Sequence, residues 1–196
     1  MSNSTTRREE IRSRRRSEKQ RSNLVWGLVV VGALALVGYL AWIGLRPPQG
    51  VAVPIAGEEH IPDGTDPGEY NSNPPTSGNH YGSPMPPGFY EAADLEQFGP
   101  FPVGYAVHSL EHGHIIFWYN CDLLAESECE ALKSEIRDYL DGSLVPKLIA
   151  FPWQGTDVPL VLTSWGYMLE MPEFDARQAT GFINANRLKA PEPNAP

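Results

Sequence analysis

Twenty-two consecutive residues, LVWGLVVVGALALVGYLAWIGL (Leu24–Leu45), carry no charge. No other stretch limits the chain's options as strongly. A helix needs roughly 20 apolar residues to cross the hydrocarbon core of a bilayer, and this run has them. Trp26 and Trp42 stand near its ends, where amphipathic rings favour the headgroup level. A cleaved signal peptide would have an apolar region of about 7–15 residues followed by small residues. Here the run closes on Trp42, Ile43, Leu45 and Arg46 instead. The reading is an uncleaved single-pass transmembrane helix over 24–45. It has no GxxxG, so nothing in it favours helix dimerisation.

Charge is divided around this helix. Residues 1–23 hold eight Lys/Arg against three Glu, a net of +5, and the remainder carries −14. By the positive-inside rule the basic tail (1–23) stays cytosolic and the acidic body is exported. A basic flank beside a span already has a topological role and attracts anionic headgroups, so no nucleic-acid partner is inferred. The expected location is the bacterial cytoplasmic membrane, with the C-terminal domain extracytoplasmic and the membrane itself as first partner. Cys121 and Cys129 are the only cysteines and both lie in the body. A close even pair in an oxidising compartment reads as a disulfide.

The body opens on Arg46–Pro87, dense in Pro and Gly. Residues 46–57 read as a stiff Pro-rich spacer, and 58–192 as the exported domain. Tyr70, His80, Tyr81, Met85, Phe89 and Tyr90 are too aromatic for a solvated tether, so the second half of the Pro/Gly region is expected to lie ordered across the domain. HIIFWYN (114–120), LIAFPW (148–153), VPLVLTSW (158–165) and GYMLEM (166–171) read as strands. Ser127 and Glu130 fit a capping box opening a helix with Cys129, Leu132, Ile136, Tyr139 and Leu140 on one face. A Cys121–Cys129 bridge would tie that helix to the preceding strand, worth roughly 2–4 kcal/mol. Asp175 opens a last short helix. The expected fold is α+β: a small antiparallel or mixed sheet with one or two helices, preceded by a single transmembrane helix.

VHSLEHGHI (Val107–Ile115) packs three of five histidines into seven positions. His108, Glu111 and His112 spell H-x-x-E-H, the letters of an inverted zinc-peptidase motif. That motif needs both histidines on one helical face. Phe101-Pro102-Val103-Gly104 before it and Gly113 after it argue for a turn or strand instead. A turn around Glu111–Gly113 could bring His108 back toward His112 or His114, with His80 arriving from the aromatic loop. Imidazole suits zinc, copper, iron or nickel. The candidate metal ligands are His80, His108 and His112, with Glu111 as a further ligand or as a partner behind them. No catalytic nucleophile–base pair is identifiable, and no glycine-rich phosphate loop is present.

YNSNPPTSGNHY (70–81), VHSLEHGHIIFWYN (107–120) and LTSWGYMLEM (162–171) resemble blocks of an uncharacterised bacterial family, domain-of-unknown-function family 3105. The resemblance covers roughly 58–192. It implies an N-terminal membrane segment or signal followed by one exported domain, and it implies no reaction. It places His80, His108, Glu111 and His112 in motif blocks, and sets His114 at a usually apolar position.

The expected function is a membrane-anchored exported domain binding copper or zinc through the histidine cluster. One alternative is a non-enzymatic interaction module tethered to a membrane protein complex, with the Pro-rich loop as its surface. The other is an H-x-x-E-H zinc hydrolase.

Overall fold

The computed structural model describes residues 3–44 and 49–196, with the side chains of 3–20, 22, 43 and 44 left aside. The expected end of the span at Leu45 and the start of the spacer at Arg46–Pro48 lie outside the described residues. The chain divides into two compact units, Met1–Arg46 and Pro47–Pro196.

The first unit is one helix, α1 (Asn3–Gly44). Within it, Asn23–Trp42 is long and apolar enough to cross a membrane, a test that a signal sequence near an N-terminus also passes.

The second unit is an α+β domain. Its strands are β1 (Val51–Ala52), β2 (His60–Ile61), β3 (His80–Tyr81), β4 (Gly88–Phe89), β5 (Ile115–Tyr119), β6 (Leu148–Pro152), β7 (Leu160–Ser164) and β8 (Tyr167–Met171). Its α-helices are α2 (Val103–Glu111), α3 (Glu126–Gly142) and α4 (Ala176–Asn186). A mixed six-stranded sheet runs in the order β1-β8-β7-β5-β6-β4, and β2 and β3 form a separate parallel pair. In the large sheet β4, β5 and β6 are mutually parallel, and β7, β8 and β1 run antiparallel to their neighbours.

Both faces of the sheet are covered. Ile115, Phe117 and Tyr119 of β5 join Leu132 and Ile136 of α3 and Phe182 and Ile183 of α4 in one core. Ile116 and Trp118 face the other way, against Ala106, Val107 and Leu110 of α2 and Met85. This two-sided burial is why IIFWY is an unbroken apolar run rather than an alternating one. The aromatic loop packs inward, leaving Tyr81 and Met85 fully buried. Cys121 and Cys129 are disulfide-bonded with Cα atoms 5.2 Å apart, joining the short 3₁₀ turn after β5 (Cys121–Leu123) to the first turns of α3.

Three features differ from expectation. Val51–Ala52, expected in the spacer, pairs with Tyr167–Met168 at the sheet edge. Asn186 receives Gln49 N on its side-chain oxygen at 3.2 Å and donates back to Gln49 O at 2.8 Å. The backbone polar groups of a Pro-poor stretch, 49–53, thus find partners in the fold. Helix α3 starts at Glu126, and Glu128 rather than Glu130 caps it, accepting from Ala125 N at 3.0 Å. The third difference is α2, expected as turn or strand.

Its Pro and Gly are boundary signals. Pro102 sits at the N-cap, where a missing N–H costs nothing. Gly104 lies inside the helix because a Cβ there would come within 2.6 Å of the Tyr81 ring. Gly113 ends it. His114 N bonds to Ser109 O and Gly113 N to Leu110 O, both at 3.0 Å, the paired closure of a Schellman motif. Gly113 has φ +81, and a Cβ there would stand 2.5 Å from Arg187 O.

Gly113→Ala is therefore expected to destabilise the domain by about 2–3 kcal/mol, from left-handed strain plus a backbone clash. Gly142→Ala, with nothing within 4 Å of its Cβ and no positive φ, should change the thermal midpoint little. Melting both variants checks this. Equal midpoints would refute the role given to Gly113.

Candidate metal centre

The site begins with the β2–β3 pair. His80 N bonds to Glu59 O at 3.1 Å and Gly78 N to Gly57 O at 3.2 Å. This register sets His60 directly beside His80. Residues 57–61 thereby come to lie along 78–81.

α2 then packs on β3. Tyr81 lies over Gly104, donates its hydroxyl to Thr65 O at 2.8 Å, and meets the Tyr105 ring edge-on at 4.7 Å. Ser109 Oγ, one residue past His108, receives Met85 N at 2.8 Å and donates to Met85 O at 3.0 Å. That clamp ties the loop to the helix. His108 and Glu111, three apart on one helix, face the same side, toward His80.

The outcome is a cluster of His60, His80, His108 and Glu111 whose ligand atoms all lie within 4.8 Å of one another. His80 Nε2 is 3.1 Å from Glu111 Oε2. His60 Nε2 is 3.2 Å from His108 Nδ1 and 3.5 Å from Glu111 Oε2. His108 Nδ1 is 3.8 Å from Glu111 Oε2. His80, His108 and Glu111 are buried, and the His60 side chain is 52% exposed. The Trp165 ring stands perpendicular to His80 at 6.1 Å, closing the apolar side.

Hydrogen bonding settles how His80 is turned. Its Nδ1 donates to Gly78 O at 2.7 Å, because a carbonyl only accepts. Its Nε2 faces Glu111 Oε2 at 3.1 Å, so the ring stands between two acceptors. Among the described residues, the ion-pair partners of Glu111 are three histidines, His60, His80 and His108. Burial first, then the imidazoles of His112, His80 and His60, push His108 down to about 4, so it is neutral at neutral pH. Three imidazole nitrogens converging on a buried carboxylate are a donor set that could hold a metal ion.

His80, His108 and Glu111 thus come together as a group. His112, the remaining expected ligand, does not join that set. It caps α2 with its ring centroid 4.4 Å from that of His108, and its nitrogens face Pro196 O at 2.9 Å and Glu192 Oε2 at 3.5 Å. With Glu111 and Glu192 it forms a second group of possible ligands. The helix that H-x-x-E-H requires is present, yet its two histidines turn toward different partners. His60 was missed because nothing in EEHIPDG marks it as a strand. The available signal was the histidine census, since all five lie between 60 and 114. Glu192 carried no signal. His114 stays apart, buried, with Nδ1 donating to Ser109 O at 2.9 Å.

The profile of a family described as Protein of unknown function (DUF3105) matches residues 63–196. The span takes in His80, His108, Glu111, His112 and Glu192, and begins just after His60. No curated protein and no solved structure matches the chain.

Burial, then the Lys147 charge, push His114 down to about 4 from an ordinary 6.5. The unfolded chain therefore binds this proton more readily. The contribution of His114 is complete above pH 6.5 and is lost as pH falls toward 4. The thermal midpoint should drop between pH 7 and pH 5, and less so in His114→Asn, whose amide can still donate to Ser109 O. An identical drop in both proteins would show that His114 is not responsible.

Proposed function

The chain belongs to the family described as Protein of unknown function (DUF3105), and we propose that it is a membrane-anchored, extracytoplasmic metal-binding domain whose ion, zinc or copper(II), is held by His60, His80, His108 and Glu111. One observation carries this reading. Ligands at 2.0–2.1 Å from a shared zinc stand roughly 3.3 Å apart in a tetrahedron; four of the six donor pairs here are 3.1–3.8 Å apart, and all lie within 4.8 Å. Three imidazoles with a carboxylate suit Zn(II) or Cu(II) better than soft Cu(I). The backbone carbonyl behind His80 is the kind of outer partner that orients metal-bound imidazole. His60, at the solvent edge, gives the ion a way in.

The hydrolase reading assigns Glu111 to water activation and both motif histidines to one ion. Here Glu111 sits among the donors and His112 faces elsewhere, so binding is favoured over hydrolysis. The interaction-module reading has separate support in an apolar cleft lined by Leu95, Phe101, Val103, Phe151 and Trp153. The inward packing of Tyr81 and Met85 removes much of the loop surface it relied on. Crosslinking in membranes that captured a stable partner of a metal-free protein would favour it.

The anchor, the basic cytosolic tail and the export of 58–192 are part of the same proposal. They rest on the apolar helix, the asymmetric charge and the disulfide. An impermeant amine reagent on intact spheroplasts should label lysines of 58–192 and spare Lys19. The reverse pattern would overturn the topology.

Full-length protein purified in detergent should carry at least one equivalent of zinc or copper. In chelator competition, His60→Ala, a change at the exposed edge, should weaken retention at least about tenfold. Less than a tenth of an equivalent after exposure to either ion would overturn the reading.

A further inference from the structure

Glu111 borders a second group that the first site does not use. The ligand atoms of Glu111, His112 and Glu192 lie within 4.8 Å of one another. His112 Nδ1 donates to Pro196 O at 2.9 Å, which fixes that proton and leaves Nε2 turned toward the acidic pair. Nε2 faces Glu192 Oε2 at 3.5 Å. His80 is built the same way, with Nδ1 on Gly78 O at 2.7 Å and Nε2 3.1 Å from Glu111 Oε2. A far nitrogen held by a main-chain oxygen is the orientation pattern of metal-bound histidine, and in both rings the near nitrogen faces a carboxylate.

The backbone holds this group in place. Glu192 N donates to Glu111 O at 3.0 Å, tying one acidic residue to the other. Lys147 Nζ reaches His112 O at 2.9 Å, Pro193 O at 3.3 Å and Ala195 O. Residues 192–196 are thereby laid against the end of α2. His112 and Glu111 are buried, while the Glu192 side chain is 60% exposed and opens the group to solvent.

We propose that the domain holds two metal ions, the second bound by His112 and Glu192, with the Glu111 carboxylate bridging both. The proposal rests on the first-site reading through the shared Glu111. Ions bridged in this way stand about 3.5–4 Å apart. Three protein ligands leave the second ion an open position for water or a small oxygen-donor anion. The competing account is a plain ion pair between a protonated His112 and Glu192, which binds nothing.

Full-length protein in detergent, stripped with chelator and dialysed against buffered micromolar Zn²⁺, distinguishes these. Wild type should retain two equivalents and Glu192→Gln one, with an unchanged thermal midpoint in the chelator-stripped state showing the variant folded. One equivalent in wild type, or two in Glu192→Gln, overturns the second site and leaves the first standing. None in wild type overturns both. Loading with Cu²⁺ supplies an independent readout. The electron paramagnetic resonance signal should rise with the first equivalent and fall with the second in wild type, through coupling across Glu111. A second equivalent that simply adds to the signal overturns the shared bridge.

Discussion

A carboxylate removed from water must be given positive charge, or its burial costs several kcal/mol. Glu111 is that carboxylate, and the surrounding architecture answers to it. It lies in the last turn of α2, the end where a helix's own dipole is negative and offers a carboxylate no help. Compensation has to come from outside the helix. Two imidazoles come from outside the helix, His80 on β3 and His60 on the strand beside it, while the neutral His108 stands one turn back on α2 itself. The β2–β3 pair, the tight packing of Tyr81 on Gly104, and the turn at Gly113 each keep one of these groups within reach.

The sheet separates stability from chemistry. On one face, α3 and α4 cover an apolar core, and the disulfide sits at the start of α3. On the other face a short helix and an irregular Pro-rich segment cover Trp118, Ile116 and Phe151. Irregular backbone can follow a site's demands more freely than regular helix can. It also leaves more polar groups to satisfy, which explains bonds such as Ser109 to Met85 and Tyr70 Oη to Asn79 O at 3.0 Å.

Much of the second unit was legible in the letters. The four long strands, the apolar face of α3, and the Asp175 cap, which accepts from Arg177 N at 2.7 Å, follow from local pattern. α2 did not, because its signals pull two ways. Gly104 and Gly113 look like breakers until Tyr81 and Arg187 are known to press on them. A glycine kept for close approach and a glycine kept for flexibility are the same letter. The site was half legible for a related reason. His108 and Glu111 are neighbours in sequence, whereas His60 and His80 meet through a strand pair of two residues each, too short to leave a periodic trace. H-x-x-E-H itself named residues of the site but misdirected the geometry: its second histidine looks toward Glu192.

The position of His60 has a mechanical consequence. It lies on the first stretch of the folded unit after β1, the side from which a pull on α1 would arrive. β1 and β2 are two residues each, and the stretch between them is held by separate bonds such as Val53 N to Gly166 O and Ala56 N to Ser77 Oγ. An ion gripping His60 together with His80 and His108 would act as a rivet across the loop between them. Unzipping from the N-terminal side would then stall at residue 60 for as long as the ion stayed in place.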